Sequence, residues 1–252
     1  MALPPELFDE VIFQLRHDKP TLLNCSLVVK SWVYWSQKLL HDWHLRFTPE
    51  TFRTWQETAS LSSIESLQYV RSLTCSQFPI DDFHEDHLKS FHRLQHITLH
   101  RVTSIRPDLT NLFPASQNTL SSLHLSLLSI HRTVIANIID CFPNLRKLHI
   151  DRSRISYGPM NTPFPSRSPR GKLRLTGLLA ADMGSLCACL CGLDLGYDEL
   201  EIVNPPSRPN SFVPPIVHAC GEALERLKFS PSSCKPQCYA PVPILQHYLT
   251  QP

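Results

Sequence analysis

Glycine is scarce in this chain, with 7 residues among 252, against 22 prolines. Phosphate-cradling loops need closely spaced glycines so that the backbone can approach the anion, and no GxGxxG, GxxxxGK[ST] or GxSxG pattern occurs. Nucleotide enzymes of those designs are excluded, as are serine hydrolases built on that elbow. A dominant charge is also missing. With 24 basic and 22 acidic residues the net charge is +2, too small for a global field that would argue for nucleic acid. No long apolar run is present either. The most apolar stretch, Leu178 to Leu195, is broken by Asp182 and Asp194, so no membrane partner is expected. The first residues, Met-Ala-Leu-Pro-Pro-Glu, lack the basic-then-apolar order of a secretory signal. The nine cysteines are therefore expected to be reduced and buried, in a cytoplasmic or nuclear protein. The composition is globular, 42% hydrophobic and 18% charged, and the length allows one large domain or two smaller ones.

Residues 4 to 15 place Leu7, Phe8, Val11, Ile12 and Leu15 on a broad helical stripe, with Pro4 and Pro5 where a missing N–H costs nothing. Asp18 is a plausible cap for a second helix through Leu22, Cys25 and Val28. A third begins near Lys30 and carries Trp32, Val33, Leu39 and Leu40. Three helices in under fifty residues enclose little core, yet this segment holds three of the four tryptophans. Its apolar excess points to burial against either the rest of the chain or a partner.

The run Leu3-Pro4-Pro5-Glu6-Leu7, then Ile12 and Leu15, then Cys25-Ser26-Leu27-Val28-Val29-Lys30-Ser31-Trp32, resembles an F-box, in particular the form common in mushroom-forming fungi. The resemblance covers about 45 residues and implies a helical hook that docks onto the Skp adaptor, and through it the cullin, of a Skp–cullin–F-box ubiquitin ligase. The positions that match the family's contact residues are Leu3, Pro4, Leu7, Ile12, Leu15, Val28 and Trp32. Leu7 stands where isoleucine is also frequent, which keeps the volume.

Beyond residue 66 the pattern apolar-x-x-apolar-x-apolar recurs. Leu73, Ile97, Leu123, Leu148, Leu173, Leu200 and Leu227 are its anchors, separated by 24, 26, 25, 25, 27 and 27 residues. That period and core pattern predict leucine-rich repeats. If each anchor lies on a strand, anchor and anchor-plus-two face inward, and all fourteen such positions are apolar. Positions minus one, plus one and plus three face outward, and of these only Val203 is apolar. Segments such as Arg132 to Asp140 predict returning helices. The expected fold is thus an α/β repeat, a leucine-rich-repeat-like solenoid with one strand and one helix per repeat, preceded by a small three-helix F-box. The expected division is an F-box at 1–47, a linking helix at 48–66 and the solenoid at 67–252, with proline-rich loops at 159–171 and 204–215. The stretch Val242 to Leu249 looks like the start of another return, so the expectation includes a shortened chain.

Candidate chemistry is sparse. Asp81 to His87 packs six titratable groups into seven positions, ligand types that a hard ion or zinc would take, but the stretch falls between the first two strands and is read as a solvated loop or helix start. Cys187-x-Cys189-x-Cys191 and Cys234-x-x-x-Cys238 lack the two-residue spacing of zinc knuckles, and the first is read as small buried hydrophobes. Neither metal nor cofactor is expected. Ser168, before Pro169 and between arginines, is a conceivable phosphate acceptor. Residues 146 to 174 carry eight basic side chains against Asp151 alone, a patch that suits an acidic or phosphorylated protein segment as well as nucleic acid. No aromatic platform accompanies it, and nucleic acid is not the expected partner.

These readings combine into a non-catalytic substrate-recognition subunit of a ubiquitin ligase, whose hook holds the adaptor and whose repeats hold an unidentified protein target. The alternatives are a repeat-scaffold binding module acting outside any ligase, and a metal-dependent enzyme. The strand register aims His96, His100, His124 and His149 outward, with Lys147, Lys172 and Arg174 beside them. This is the expected target-binding face, and protonated histidines would add charge to its basic region.

Overall fold

The structure, a computed structural model, describes residues 5–15, 18–28, 30–41, 44–58, 67, 70–77, 89–102, 113–156, 170–190, 195–205, 213–220 and 223–230. The proline-rich stretches 159–169 and 206–212, Ser168, the acidic-histidine run 81–87, Cys234, Cys238, Leu3 and Pro4 lie outside them.

Three helices open the chain: α1 (Pro5–Gln14), α2 (Lys19–Val28) and α3 (Lys30–His41). Asp18 caps α2 as its position suggests. Its carboxylate accepts from the Thr21 N–H at 3.2 Å and from the Thr21 hydroxyl at 2.6 Å. The hydroxyl bond, with the backbone bond second, holds the Asp18 carboxyl below its ordinary pKa. Ile12, Leu22, Cys25 and Leu39 make a small core, with Leu15, Trp32, Trp35 and Leu40 packed against it.

Strand β1 (Leu45–Phe47) and helix α4 (Pro49–Thr58) follow. Thr48 sets the start of α4, its hydroxyl accepting from the Thr51 N–H at 3.3 Å. Phe47 and Phe52 clasp that start from either side, ring centroids 5.3 Å apart, and Trp55 completes the cluster. The remaining strands are β2 (Ser72–Ser76), β3 (His96–His100), β4 (Ser122–Ser126), β5 (Ser129–His131), β6 (Lys147–Asp151), β7 (Arg154–Ser156), β8 (Gly171–Thr176), β9 (Tyr197–Val203) and β10 (Arg226–Ser230). Helices α5 (Arg132–Cys141), α6 (Ala180–Leu190) and α7 (Val213–Cys220) lie among them.

One all-parallel sheet of eight strands, ordered β1-β2-β3-β4-β6-β8-β9-β10, dominates the fold, and β5 and β7 pair separately. The architecture is therefore α/β, built on one eight-stranded parallel sheet with a second, two-stranded one, which corrects the expectation of a helical F-box followed by a solenoid of one strand and one helix per repeat. Two observations overturn it. The sheet's first strand, Leu45–Phe47, comes from the segment assigned to the helical hook and pairs with β2 from Leu45↔Leu73 to Phe47↔Cys75. The rule of one strand per repeat also fails, because β5 and β7 are additional strands that pair with each other outside the main sheet. Between β3 and β4 the described residues include a 3₁₀ turn, Pro114–Ser116, with its proline at the first position, where a missing N–H costs nothing. Between β4 and β6 the chain inserts β5 before α5.

The seven anchors do stand in one row. Leu73, Ile97, Leu123, Leu148, Leu173, Leu200 and Leu227 are successive Cα partners. Anchor and anchor-plus-two side chains are fully buried from β2 to β9, against Val134, Ile138, Met183, Leu186 and Ile216 of the helices. On β10 the pattern weakens, with Leu227 half-buried and Phe229 exposed.

Strand ends share a second regularity. The residue four after the anchor has positive φ on six consecutive strands: Gln77 (64°), Arg101 (52°), Leu127 (55°), Arg152 (43°), Gly177 (58°) and Asn204 (54°). Each donates its N–H to a carbonyl of the next strand, as Gln77 does to His100 and Arg152 to Thr176. Only one of the six is glycine, so left-handed strain is carried at the others. At the opposite end, Gly171 (φ 114°) donates space as well as freedom, since a Cβ there would lie 2.2 Å from the Arg146 carbonyl oxygen.

Exposed Gln77 therefore predicts a stabilising substitution. Gln77→Gly should raise unfolding free energy by about 0.5–1 kcal/mol, read as a higher urea midpoint at unchanged slope. Gly171→Ala should lower it.

Candidate functional site: the polar face of the sheet

Side chains one position after the anchor line the outer face in a single row: Arg46, Thr74, Thr98, His124, His149, Arg174, Glu201 and Lys228. The row before the anchor runs Ser72, His96, Ser122, Lys147, Lys172, Glu199 and Arg226. Strands lie about 4.8 Å apart, so side chains of the same row are neighbours.

The middle of this face is a neutral imidazole stack. The His124 and His149 rings lie 4.1 Å apart and 8° from parallel. His149 Nε2 meets the Thr176 hydroxyl at 2.9 Å. Burial lowers the pKa of both rings; for His149, the neighbouring His124 and Arg174 add to the effect and bring it down to about 4. Of the two protonation states open to these rings, burial favours the neutral one. At neutral pH they are uncharged hydrogen-bonding groups. His124 Nε2 is buried without a hydrogen-bond partner.

The carboxyl-terminal third of the face is an alternating ion lattice. Lys172 Nζ bridges Glu199 Oε1 at 3.1 Å and Glu201 Oε2, and Lys228 Nζ reaches Glu199 Oε1 at 2.7 Å. Arg174 Nε lies 3.7 Å from Glu201 Oε1, too far for a hydrogen bond, and that nitrogen is buried without a partner. The bond to Lys228, and then that to Lys172, holds Glu199 below the usual carboxylate range; for Glu201 the bond to Lys172 does so. Lys172 is therefore held by carboxylates and Arg174 lies in a looser ion pair with Glu201, so two acidic side chains from β9 oppose the basic patch.

Outward exposure at anchor-plus-three also needs correction, because Ser76, Ser126 and Asp151 are buried. The left-handed residue that follows turns the chain, and the polar groups pair among themselves. Ser126 donates to Asp151 Oδ2 at 2.8 Å, and His100 Nδ1 lies 3.3 Å from Ser126 Oγ. This set contains the residues of a hydrolytic triad in the wrong order. Serine stands between histidine and aspartate, gives its proton to the carboxylate, and is only 4% exposed.

Of the residues expected on the target face, the fold joins His124, His149, Lys172 and Arg174, while His96 and Lys147 stand exposed in the adjoining row and His100 bonds into the buried Ser126–Asp151 pair. Glu199, Glu201 and Lys228 were not singled out from sequence, although they sit one position from the anchors Leu200 and Leu227 and the same register reaches them. Among the residues expected to meet the Skp adaptor, Ile12 is 1% exposed in the small core, Leu15 and Trp32 are half-buried, and Val28 is 66% exposed. Leu7 lies on α1 with its side chain outside what the structure describes. Among the described residues of this unit the exposed large apolar side chains are Val11, Phe13, Leu23, Leu27 and Val28, of which only Val28 is an expected contact.

No protein-family model matches the chain, and no curated protein shows significant similarity to it. Among the described residues no helix is long and apolar enough to cross a membrane.

The depressed His149 pKa makes stability pH-dependent. Unfolded, this histidine protonates near its ordinary 6.5, and folded only near 4. Between those values the unfolded chain binds more protons, so stability rises with pH across the window and is lost as pH falls through it. His149→Gln, which can keep a bond to Thr176, should flatten the change in unfolding free energy between pH 6.5 and 5. Urea titrations at several pH values check this; an unchanged slope would mean that the stack titrates normally.

Proposed function

We propose that the protein is a substrate-recognition subunit of a Skp–cullin–F-box ubiquitin ligase, its amino-terminal helices docking the Skp adaptor and its sheet face holding a protein target, in the cytoplasm or nucleus. The observation that carries the first half is the apolar exposure of α1 and α2. Leu23 and Leu27, four apart on one face of α2, are 55% and 84% exposed, Val28 is 66% exposed, and Val11 and Phe13 on α1 are half exposed. So much exposed apolar surface, on a unit whose described residues include four buried apolar side chains, is costly in water and is what a partner's apolar groove would cover. The resemblance of this same segment to an F-box supplies the identity of that partner.

Support for the second half is the polar face itself. It offers hydroxyl and imidazole groups from β2 to β6, with Lys147 exposed at β6, and interleaved charges from β8 to β10, a surface suited to an extended peptide rather than to bond chemistry. The protein's contribution to ubiquitin transfer is then proximity, bringing the target to the charged enzyme.

Leu27→Asp and Val28→Asp should each weaken capture of the Skp adaptor by at least tenfold while leaving the thermal transition of the chain in place. Ile12→Ala should instead destabilise the helical unit by about 2–5 kcal/mol, since it empties an interior site. Co-purification with the adaptor, with circular dichroism on each variant, checks both. Undiminished adaptor capture by the two aspartate variants would place the docking surface elsewhere.

A further inference from the structure

Three cations and two carboxylates share the carboxyl-terminal third of the polar face, and the arrangement is unbalanced. Glu201 is drawn to Lys172 by one oxygen, which leaves its other oxygen 3.7 Å from Arg174 Nε. That Nε is buried and makes no hydrogen bond, although an arginine beside a carboxylate ordinarily forms a two-pronged pair. Glu199 is likewise divided between Lys172 and Lys228. Lys147 and Arg226 stand exposed in the same row as Lys172 and Glu199, so positive charge exceeds negative across β6 to β10. A lattice built only for stability would pair its charges in full. This one holds its cations in place and leaves the arginine's bonding incomplete.

We infer that Glu199 and Glu201 are built-in stand-ins for an acidic target segment, occupying Lys172, Arg174 and Lys228 until a ligand with several adjacent carboxylates displaces them. This deepens the reading of the sheet face as the target surface and rests on it. A single external carboxylate gains little, because it must replace an internal one already held at high effective concentration. Several carboxylates presented together can satisfy Arg174, Lys147 and Lys172 at once. The glutamates thus set a threshold of charge density. They also repel the continuous phosphate backbone of a nucleic acid, which cannot choose where its charges fall.

The test uses the full chain and a fluorescein-labelled heptaglutamate peptide, followed by fluorescence anisotropy at low salt. Glu201→Gln keeps the shape and removes the competing charge, so affinity should rise at least tenfold over the unmodified chain, and Glu199→Gln should raise it by a smaller factor. Arg174→Met in the Glu201→Gln background should abolish the gain, whereas Arg46→Gln, in the same row at the far edge of the sheet, should leave it intact. Circular dichroism establishes that each variant is folded. If Glu201→Gln perturbs the fold, Glu199→Gln alone decides, and an unchanged or weaker affinity overturns the inference, as it does for Glu201→Gln itself. Equal gain for a single-stranded oligonucleotide of the same charge would overturn it too, in favour of a nucleic-acid surface. Adaptor capture is read separately through α1 and α2. Adaptor capture retained without a gain in peptide binding defeats this inference alone, and loss of adaptor capture defeats the ligase assignment alone.

Discussion

Every strand of the main sheet from β2 to β9 leaves the sheet through a left-handed residue whose N–H donates to the strand beside it. This hydrogen bond extends the parallel ladder one residue past each strand and turns all the chains away at the same height. Parallel pairing has no tight turn to set its register, so the register must come from side chains and from such end devices. Here the buried rows supply the first and the left-handed residues the second. The cost is local strain at five residues other than glycine, which the surrounding ladder holds in place.

The common height has a consequence on the opposite face. Because all strands are in register, residues at equal offset from their anchors become neighbours across the sheet although they lie some 25 residues apart in sequence. Two histidines stack, and five charged residues interleave. The face is therefore electrically graded, uncharged at its centre and ionic toward β10. Burial keeps the imidazoles neutral, and carboxylates hold the lysines and Arg174. A basic stretch in the sequence is in this way partly offset by carboxylates from β9, while Lys147 and Arg226 stay exposed in the adjoining row.

At the other end of the chain, the helical unit solves a different problem. Among the described residues its core holds Ile12, Leu22, Cys25 and Leu39, and other apolar side chains of the segment lie outside that core. Leu23, Leu27 and Val28 remain in solvent. Surplus apolar surface is what makes the unit a docking element in the ligase reading, and it is the same surplus that tryptophan and leucine content announces in the sequence.

Local periodicity was enough to locate the elements. The alternation around Leu73, Ile97, Leu123, Leu148, Leu173, Leu200 and Leu227 placed seven strands and the inward faces of all but the last, β10, where Phe229 is exposed, because alternation of side chains between the two faces is a property of the strand itself. The helix at Arg132–Cys141 and the cap at Asp18 were legible for the same reason. Other features depended on which segments meet. A three-residue strand, Leu45–Phe47, is too short to show a period, and it joins the sheet only because β2 offers an edge. Positive φ at Gln77, Arg101 and Leu127 carries no glycine to mark it, since the ladder rather than the residue imposes it. The engagement of Lys172 by Glu199 and Glu201, and the neutrality of His149, likewise followed only from adjacency across strands. Charge and proton affinity are set by neighbours within a few ångströms, and in a parallel sheet those neighbours come from distant parts of the chain.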